Sequence, residues 1–214
     1  MLFKLSPSDF AYLYEECKHC FYLKVRKNLP RPFTPFPGVF SALNGKIQGK
    51  LIGKNLKTIS EDLPNCVVEM QEGFVESTTI PNTSCYIKGK YDLLCKNPNG
   101  TYTIVDLKIS QPNAEKIDKY KTQLYSYKFS LENPVRDKPL KISRMGLLIL
   151  YPDTANFENG SVKVDFPPVW MDIPEDQELF FNFIKEVDTL LKGPTPKINP
   201  DCGFCEYHNK RNTL

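Results

Sequence analysis

The chain has 214 residues, of which 41% are hydrophobic and 25% are charged. This composition is typical of one globular domain, residues 1–214, and excludes a largely disordered chain. No apolar run is long enough to span a membrane. The net charge of +3 and the isoelectric point of about 8.4 permit a polyanionic partner, but proteins that bind nucleic acid by charge alone are usually more basic.

The first third of the chain predicts two helices joined by a connector. Ser6 and Pro7 are typical of a helix start, and we expect this helix to run from Phe10 to about Cys20. Four prolines within residues 30–37 predict an extended connector. An apolar stripe predicts a second helix over residues 38–58.

The remainder alternates between strand and helix patterns. Strands are predicted over residues 66–80, 84–95, 101–110, 145–151 and 161–169, and helices over residues 113–130 and 174–191. The turn signal at residues 97–100 predicts a hairpin between the second and third strands. This order predicts an α/β domain in which helices pack against one mixed sheet.

A candidate acidic centre lies where two predicted strands meet. Strand side chains alternate between faces, so Asp106 and Lys108 point the same way. The hairpin brings Asp92, on the preceding strand, towards Asp106. Two neighbouring carboxylates repel each other unless a cation lies between them, and hard oxygen ligands suit Mg²⁺ or Mn²⁺.

Such a centre suits phosphodiester hydrolysis. A metal on Asp92 and Asp106 orients and acidifies a water, while Lys108 holds that water or balances the phosphoryl charge. Taken alone, the D-x-K pattern is weak, because charged pairs are common on solvated strand faces.

Two neighbouring patterns make the interpretation more specific. Gly89-x-x-Asp92 precedes the D-x-K strand. Gln123 and Tyr127 follow it, four residues apart on one face of a predicted helix. Each residue alone has an ordinary structural explanation, as a turn, surface or core position, but their joint order and spacing favour a functional site.

The segments GKYD, IVDLK and QLYSY, between about residues 85 and 130, resemble the PD-(D/E)xK nuclease superfamily in its RecB-like branch. The resemblance implies a restriction-endonuclease-like core, with a mixed central sheet flanked by helices, that cuts single- or double-stranded DNA with Mg²⁺ or Mn²⁺. It implies that Asp92 and Asp106 are metal ligands, that Leu107 contributes its backbone carbonyl and that Lys108 is the catalytic lysine.

The resemblance extends to the following helix and has one departure. Gln123 and Tyr127 match the extra motif of the branch, which contacts substrate or supports the site. Many RecB-like enzymes carry a metal-binding histidine on the helix upstream of the first strand. Here that helix offers Asn44 and Gln48, whose neutral amides are weaker ligands.

Two C-x-x-C pairs stand near the two ends of the sequence. Cys17 and Cys20 form one pair and Cys202 and Cys205 the other. Together they supply the ligands of a tetrahedral Zn²⁺ site or of an iron–sulfur cluster (4Fe–4S), with His208 as an alternative ligand. Such a site clasps residues 1–37 and 193–214 around a nuclease core of about residues 38–192. Unliganded thiols and a disulfide within either pair are the less favoured alternatives.

The resemblance leaves the identity of this metal open. Some RecB-like nucleases, among them CRISPR-associated exonucleases and helicase–nuclease subunits, join terminal cysteines through an iron–sulfur cluster. They usually have one N-terminal and three C-terminal ligands, whereas this chain has two and two. Because seven cysteines without a secretion signal argue against a disulfide framework, we expect a cytoplasmic protein.

Basic residues suggest where nucleic acid binds. Residues 18–31 interleave basic and aromatic side chains, and Lys116, Lys119, Lys121 and Lys128 lie on or near the Gln123 helix. Solvated helix faces are an equally good explanation of the lysines.

The sequence as a whole predicts a metal-dependent deoxyribonuclease, exonuclease-like, acting in DNA repair, recombination or CRISPR-type defence. One alternative is a non-catalytic nucleic-acid-binding module, since the upstream histidine is missing. Another is a nuclease subunit that needs a helicase or CRISPR-adaptation partner, because the sequence contains no P-loop motor motif.

Overall fold

The computed structural model describes residues 1–32, 37–113 and 116–212. Its strands are β1 (Phe3–Leu5), β2 (Val67–Gln71), β3 (Phe74–Glu76), β4 (Cys85–Lys90), β5 (Leu93–Lys96), β6 (Tyr102–Ile109), β7 (Ile142–Leu150), β8 (Thr154–Glu158), β9 (Ser161–Asp165) and β10 (Pro168–Asp172). Its α-helices are α1 (Pro7–Asp9), α2 (Lys18–Lys27), α3 (Gly38–Leu51), α4 (Lys116–Glu132), α5 (Gln177–Lys192) and α6 (Gly203–Asn212). A π-helical turn, Phe10–Tyr14, continues α1, and a 3₁₀ turn covers Leu56–Thr58. The predicted connector 30–37 and the predicted start of the helix 113–130 lie partly outside these ranges.

The central sheet has five strands in the order β10-β7-β6-β5-β2. β6 and β7 pair in parallel, and the other neighbours pair antiparallel, so the sheet is mixed. The β5–β6 hairpin has Leu93 opposite Val105, which confirms the hairpin predicted from the turn at residues 97–100. The predicted α/β fold with helices against a mixed sheet is confirmed.

A smaller sheet in the order β1-β4-β3 supports the first acidic residue of the predicted site. β1 pairs in parallel with β4 and β3 pairs antiparallel with it. The chain leaves β4 at Lys90 and enters β5 at Leu93, so Tyr91 and Asp92 bridge the two sheets. Gly73 makes this crossing possible, because a Cβ atom there would lie 2.1 Å from the Tyr91 ring.

Two hydrophobic clusters cover the opposite faces of the central sheet. On one face α4 and α5 pack together, with the rings of Tyr125 and Phe180 stacked at 4.9 Å. On the other face Leu51, at the end of α3, packs with Val105 and Leu107. Because strand side chains alternate, Asp106 lies between these two residues and points away from the α3 side.

The first predicted helix, from Phe10 to about Cys20, is wrong as a continuous element. The chain forms a π-helical turn to Tyr14 and then starts a new helix at Lys18. Cys17 is extended (φ −159°) and its sulfur accepts the N–H of Cys20, so the cysteine itself caps α2.

Four other predicted elements are also shorter than expected. The strand over 84–95 divides into β4 and β5, which belong to different sheets. The helix over 38–58 ends at Leu51, ahead of Gly53 in a left-handed conformation (φ 75°). The strand over 66–80 breaks after Gln71, where Glu72 has φ 50°. The strand over 161–169 divides into β9 and β10, and β9 pairs with β8 in a separate hairpin. Within the described part of the chain, no helix combines the length and the apolar character needed to cross a membrane.

Candidate active site

The crossing between the two sheets fixes Asp92 against the backbone of β6. Its Oδ2 atom accepts the N–H of Leu107 at 2.8 Å. Its own carbonyl accepts the N–H of Glu72 at 2.7 Å. The register of the hairpin places Asp92 one residue beyond the Leu93–Val105 pair, next to Asp106. Hydrogen bonds on both sides therefore hold this carboxylate at the end of the hairpin.

Asp106 and Lys108 form a nearly buried ion pair on β6. The Lys108 Nζ atom lies 2.5 Å from Asp106 Oδ2, and only 3% of Asp106 is exposed. Both side chains leave β6 on the same face, as the sequence predicts. A buried pair of this kind keeps its charge only if further polar groups complete its surroundings.

Helix α4 supplies two polar side chains that support the candidate site. Gln123 Nε2 donates to Asp106 Oδ1 at 3.1 Å. One turn later, Tyr127 Oη donates to the carbonyl of Lys90 at 2.8 Å, at the end of β4. Gln123 therefore contacts the acidic pair directly, whereas Tyr127 fastens the strand that leads to Asp92.

A glycine on β4 lets this end of the smaller sheet approach the helices. A Cβ atom on Gly89 would lie 2.7 Å from the ring of Pro7 and 3.6 Å from Tyr127. The Gly89-x-x-Asp92 pattern is thus explained by close packing before the carboxylate.

Two tyrosines beside Lys108 were missed by the sequence analysis. The Lys108 ammonium lies 4.8 Å from the ring centre of Tyr120 on α4. The Tyr120 hydroxyl is 2.7 Å from that of Tyr12, which lies in the π-helical turn. No sequence signal joins residues 108 positions apart. The two tyrosines, joined by their hydroxyls, therefore lie on one side of Lys108.

Burial and mutual repulsion shift the titration of both carboxylates. Burial, and then the neighbouring Asp106 charge, raise the pKa of Asp92 to about 6. Burial also raises the pKa of Asp106 above its ordinary value, although Lys108 opposes the shift. Burial alone would lower the pKa of Lys108, but Asp106, Tyr12 and Asp92 raise it, so the lysine stays charged.

The donor set of this centre fits a hard divalent cation. Asp106 Oδ2 is partnered by the Lys108 ammonium at 2.5 Å, and Gln123 Oε1 is buried without a hydrogen bond among the described residues. A cation between the carboxylates would relieve the repulsion that raises the Asp92 pKa. The residues present therefore suit Mg²⁺ or Mn²⁺.

Gln48, one of the two amides that the sequence predicts on the helix before the first strand, is buried on α3. Only 1% of it is exposed, and its Nε2 donates to Asn44 Oδ1 at 3.3 Å. Its Oε1 has no hydrogen-bond partner among the described residues. This oxygen is therefore a buried acceptor without a donor in the described part of the structure.

The structure brings the four paired cysteines into one buried cluster. Their sulfurs all lie within 4.8 Å of one another, and His208 is not among the clustered donors. The Sγ–Sγ distances are 3.6 Å for Cys17–Cys205, 3.7 Å for Cys20–Cys205 and 3.8 Å for Cys20–Cys202. Burial opposes ionisation of Cys202, but backbone N–H groups of Cys205 and Phe204 lower its pKa to about 7. The arrangement suits a thiolate-bound metal.

Arg31 forms a hydrogen bond to this cysteine cluster. Its Nη2 atom donates to Cys202 Sγ at 3.1 Å, and its guanidinium lies 4.5 Å from the ring centre of Phe204. Its Nη1 atom pairs with Glu16 at 2.8 Å. The expectation that the basic residues of 18–31 contact phosphate therefore fails for Arg31, because its Nη1 and Nη2 atoms are directed to protein groups.

Three of the four lysines predicted on or near α4 divide by their surroundings, and the side chain of Lys116 lies outside the described part of the structure. Lys128 is buried and donates to the Ile142 carbonyl and to Glu132, both at 2.8 Å, so its prediction as a phosphate contact is wrong. Lys119 lies over the Tyr12 ring at 4.4 Å, and Lys121 pairs with Asp118 at 2.7 Å.

Comparison with known proteins places this geometry in a family. No curated protein matches the chain. The solved crystal structure of a protein called SSO0001 aligns with a TM-score of 0.42 and 15% sequence identity, over 90% of this chain and 79% of that chain. The family model of the PD-(D/E)XK nuclease superfamily matches residues 51–209, a range that includes both carboxylates, Lys108 and the Gln123 helix. Since this match spans well over half of the sequence, the protein belongs to the PD-(D/E)XK nuclease superfamily.

Proposed function

We propose that the chain is a divalent-metal-dependent deoxyribonuclease of the RecB-like branch. The observation that carries the proposal is the buried triad in which Lys108 lies 2.5 Å from Asp106, while Asp106 raises the pKa of Asp92. A triad with no function would be costly, because two carboxylates are removed from water beside each other. Membership of a nuclease superfamily supports the same activity.

Asp92, Asp106 and the backbone carbonyl of Leu107 are the groups we propose as ligands of Mg²⁺ or Mn²⁺. When bound, the ion supplies a water of lowered pKa and stabilises negative charge on the phosphoryl oxygens.

The protein's own groups orient these ligands and the reacting phosphate. The Leu107 N–H holds the Asp92 carboxylate at 2.8 Å, and the Gln123 amide holds the Asp106 carboxylate at 3.1 Å. Lys108 stays protonated beside Asp106. Its ammonium is thus available to hold the attacking water or to balance the negative charge that develops on the phosphate. Tyr127 supports the site through its bond to the Lys90 carbonyl.

We further propose that the activity is exonuclease-like, on single- or double-stranded DNA, in DNA repair, recombination or CRISPR-type defence. A helicase or CRISPR-adaptation protein is the partner that the resemblance to the RecB-like branch suggests. The second candidate is a non-catalytic nucleic-acid-binding module. The observation in its favour is that the helix before the first strand offers only the amides Asn44 and Gln48, where RecB-like enzymes often carry a histidine.

For the four cysteines we propose a structural Zn²⁺ ion in preference to a 4Fe–4S cluster. Tetrahedral Zn²⁺ with Zn–S bonds of about 2.3 Å separates its sulfurs by about 3.8 Å. Three of the six Sγ–Sγ distances, 3.6, 3.7 and 3.8 Å, match that edge, and all six lie within 4.8 Å. A cubane cluster lies between its thiolates and holds them farther apart. A colourless preparation with one zinc per chain supports this proposal, and a brown one with iron and sulfide overturns it.

We propose a single domain over residues 1–214, with a nuclease core of about residues 38–192 and a cysteine clasp from 1–37 and 193–214. We also propose a cytoplasmic location, which the cysteine content of the sequence suggests.

The test of the nuclease proposal is cleavage of end-labelled single- and double-stranded DNA with Mg²⁺ or Mn²⁺. We expect Asp106→Ala and Lys108→Ala to abolish cleavage, whereas Lys96→Ala, which removes an exposed lysine of β5, retains it. Equal cleavage by the first two variants would refute the assignment. Binding of DNA that is unaffected by chelator, with no cleavage under either metal, would favour the second candidate.

A further inference from the structure

A large groove opens between the π-helical turn, α4 and α5. Its volume is about 1150 Å³, and we call it the acidic groove. Of the described residues that line it, six are acidic and one is a lysine: Glu15, Glu16, Asp118, Asp176, Glu178 and Glu186, with Lys119. No step of the proposed hydrolysis uses these acidic residues.

Apolar side chains form much of the groove's floor. Phe183 on α5 packs edge-on against the buried Phe10, with ring centres 5.0 Å apart, and is itself only partly covered. Beside them Leu179 is 39% exposed. A leucine and a phenylalanine left in contact with water inside a concave surface provide an attachment point for an apolar side chain.

Much of the negative charge on the rim is uncompensated. Glu16 pairs with Arg31 and Asp118 pairs with Lys121. Glu15, Glu178 and Glu186 are exposed and form no ion pair with any side chain that the structure describes. A nucleic-acid strand would be repelled by this rim, so the groove suits a cationic ligand.

The dimensions of the groove limit the form of that ligand. Glu178, Asn182 and Glu186 follow one another at four-residue intervals along α5 and all line the groove. Eight residues of helix span about 12 Å, which matches about two turns of a second helix lying alongside.

We propose that the acidic groove binds a basic amphipathic helix of a partner protein. Its apolar residues would contact Leu179 and Phe183, and its lysines or arginines would pair with Glu15, Glu178 and Glu186. This inference goes beyond the nuclease proposal and does not depend on it.

The groove also borders the candidate active site. Tyr12 is one of its lining residues, and the Tyr12 hydroxyl is 2.7 Å from the Tyr120 hydroxyl. The Tyr120 ring in turn lies 4.8 Å from the Lys108 ammonium. A partner bound in the groove is therefore held two side chains away from the candidate catalytic lysine.

The test uses a fluorescein-labelled synthetic peptide of lysine, leucine and alanine, patterned as an amphipathic helix, and a matched peptide with glutamate in place of lysine. Binding to the full chain is followed by fluorescence anisotropy. The groove variant is Glu178→Lys with Glu186→Lys. The control is Glu61→Lys with Asp62→Lys, which makes the same change in net charge at exposed residues outside the groove.

We expect the basic peptide to bind the unaltered chain and the glutamate peptide not to bind. The groove variant should lose at least about tenfold in affinity, and the control less than about twofold. Leu179→Ser should weaken binding while the melting temperature is retained. Equal affinity of the groove and control variants would overturn the proposal. So would a dimer of this chain that the groove variant converts to monomer, because the occupant would then be a second copy. Peptide affinity and oligomeric state can be measured whether or not the protein cleaves DNA, so failure of this proposal is distinct from failure of the nuclease proposal.

Discussion

Replacing Asp92 with asparagine should stabilise the metal-free protein. Burial and the Asp106 charge raise the pKa of Asp92 to about 6, compared with an ordinary value of 3.8. That difference corresponds to about 3 kcal/mol by which the ionised carboxylate destabilises the folded state. The cost is complete above about pH 6, declines as the pH falls towards 3.8, and is absent below it.

We therefore expect Asp92→Asn to raise the free energy of unfolding at pH 7.5 by up to about 3 kcal/mol. For a chain of this length that gain corresponds to a rise in melting temperature of about 6–12 °C. The asparagine retains an oxygen that can accept the Leu107 N–H, so the hydrogen bond at 2.8 Å does not have to be lost. The advantage should disappear near pH 4, where the native carboxyl is already protonated.

The assay is urea unfolding in EDTA at several pH values, repeated with Mg²⁺. Asp62→Asn, at an exposed position, is the control and should change little. Mg²⁺ should stabilise the unaltered protein by mass action and the variant much less, because one ligand is lost. If Asp92→Asn lowers the free energy of unfolding at pH 7.5 in EDTA, the ionised carboxylate stabilises the folded protein, and the reasoning is refuted.

Three further predictions concern groups around the two centres. Tyr127→Phe leaves the Lys90 carbonyl without its partner and should lower stability by about 1–3 kcal/mol in chemical denaturation, with an unchanged midpoint counting against it. Gln48→His should lower the Mn²⁺ concentration needed for half-maximal cleavage by roughly tenfold, since imidazole is a stronger ligand than an amide. If the variant needs more Mn²⁺ than the unaltered protein, α3 does not face the metal. Cys205→Ser should reduce bound metal and melting temperature together and make the protein insensitive to a strong chelator, whereas Cys85→Ser, outside the cluster, should keep its metal.

Local signals in the sequence were sufficient for the hairpin and for the polar strand. Residues 97–100 form a turn with Gly100 in a left-handed conformation, and this turn sets the register that brings Asp92 beside Asp106. Strand alternation then places Asp106 and Lys108 together without further information. The four-residue spacing on α4 likewise orders Gln123 and Tyr127 along one face.

Features that depend on distant contacts were beyond such reasoning. β1 has three residues, too few to show a period, and it exists because β4 provides a partner. The break before α2 arises because Cys17 turns its sulfur to the helix it begins. Lys128 reads as a surface lysine, yet Glu132 and the Ile142 carbonyl give it partners in the interior.

The cysteine cluster imposes an order on synthesis. Cys20 and Cys202 are 182 residues apart, so the first two thiols have no partner thiols until these intervening residues have been synthesised. Until then any metal taken up by Cys17 and Cys20 has only half of its cysteine ligands. A ribosome that stops before Cys202 therefore releases a chain that cannot close the clasp, and such fragments should be preferred substrates for proteolysis.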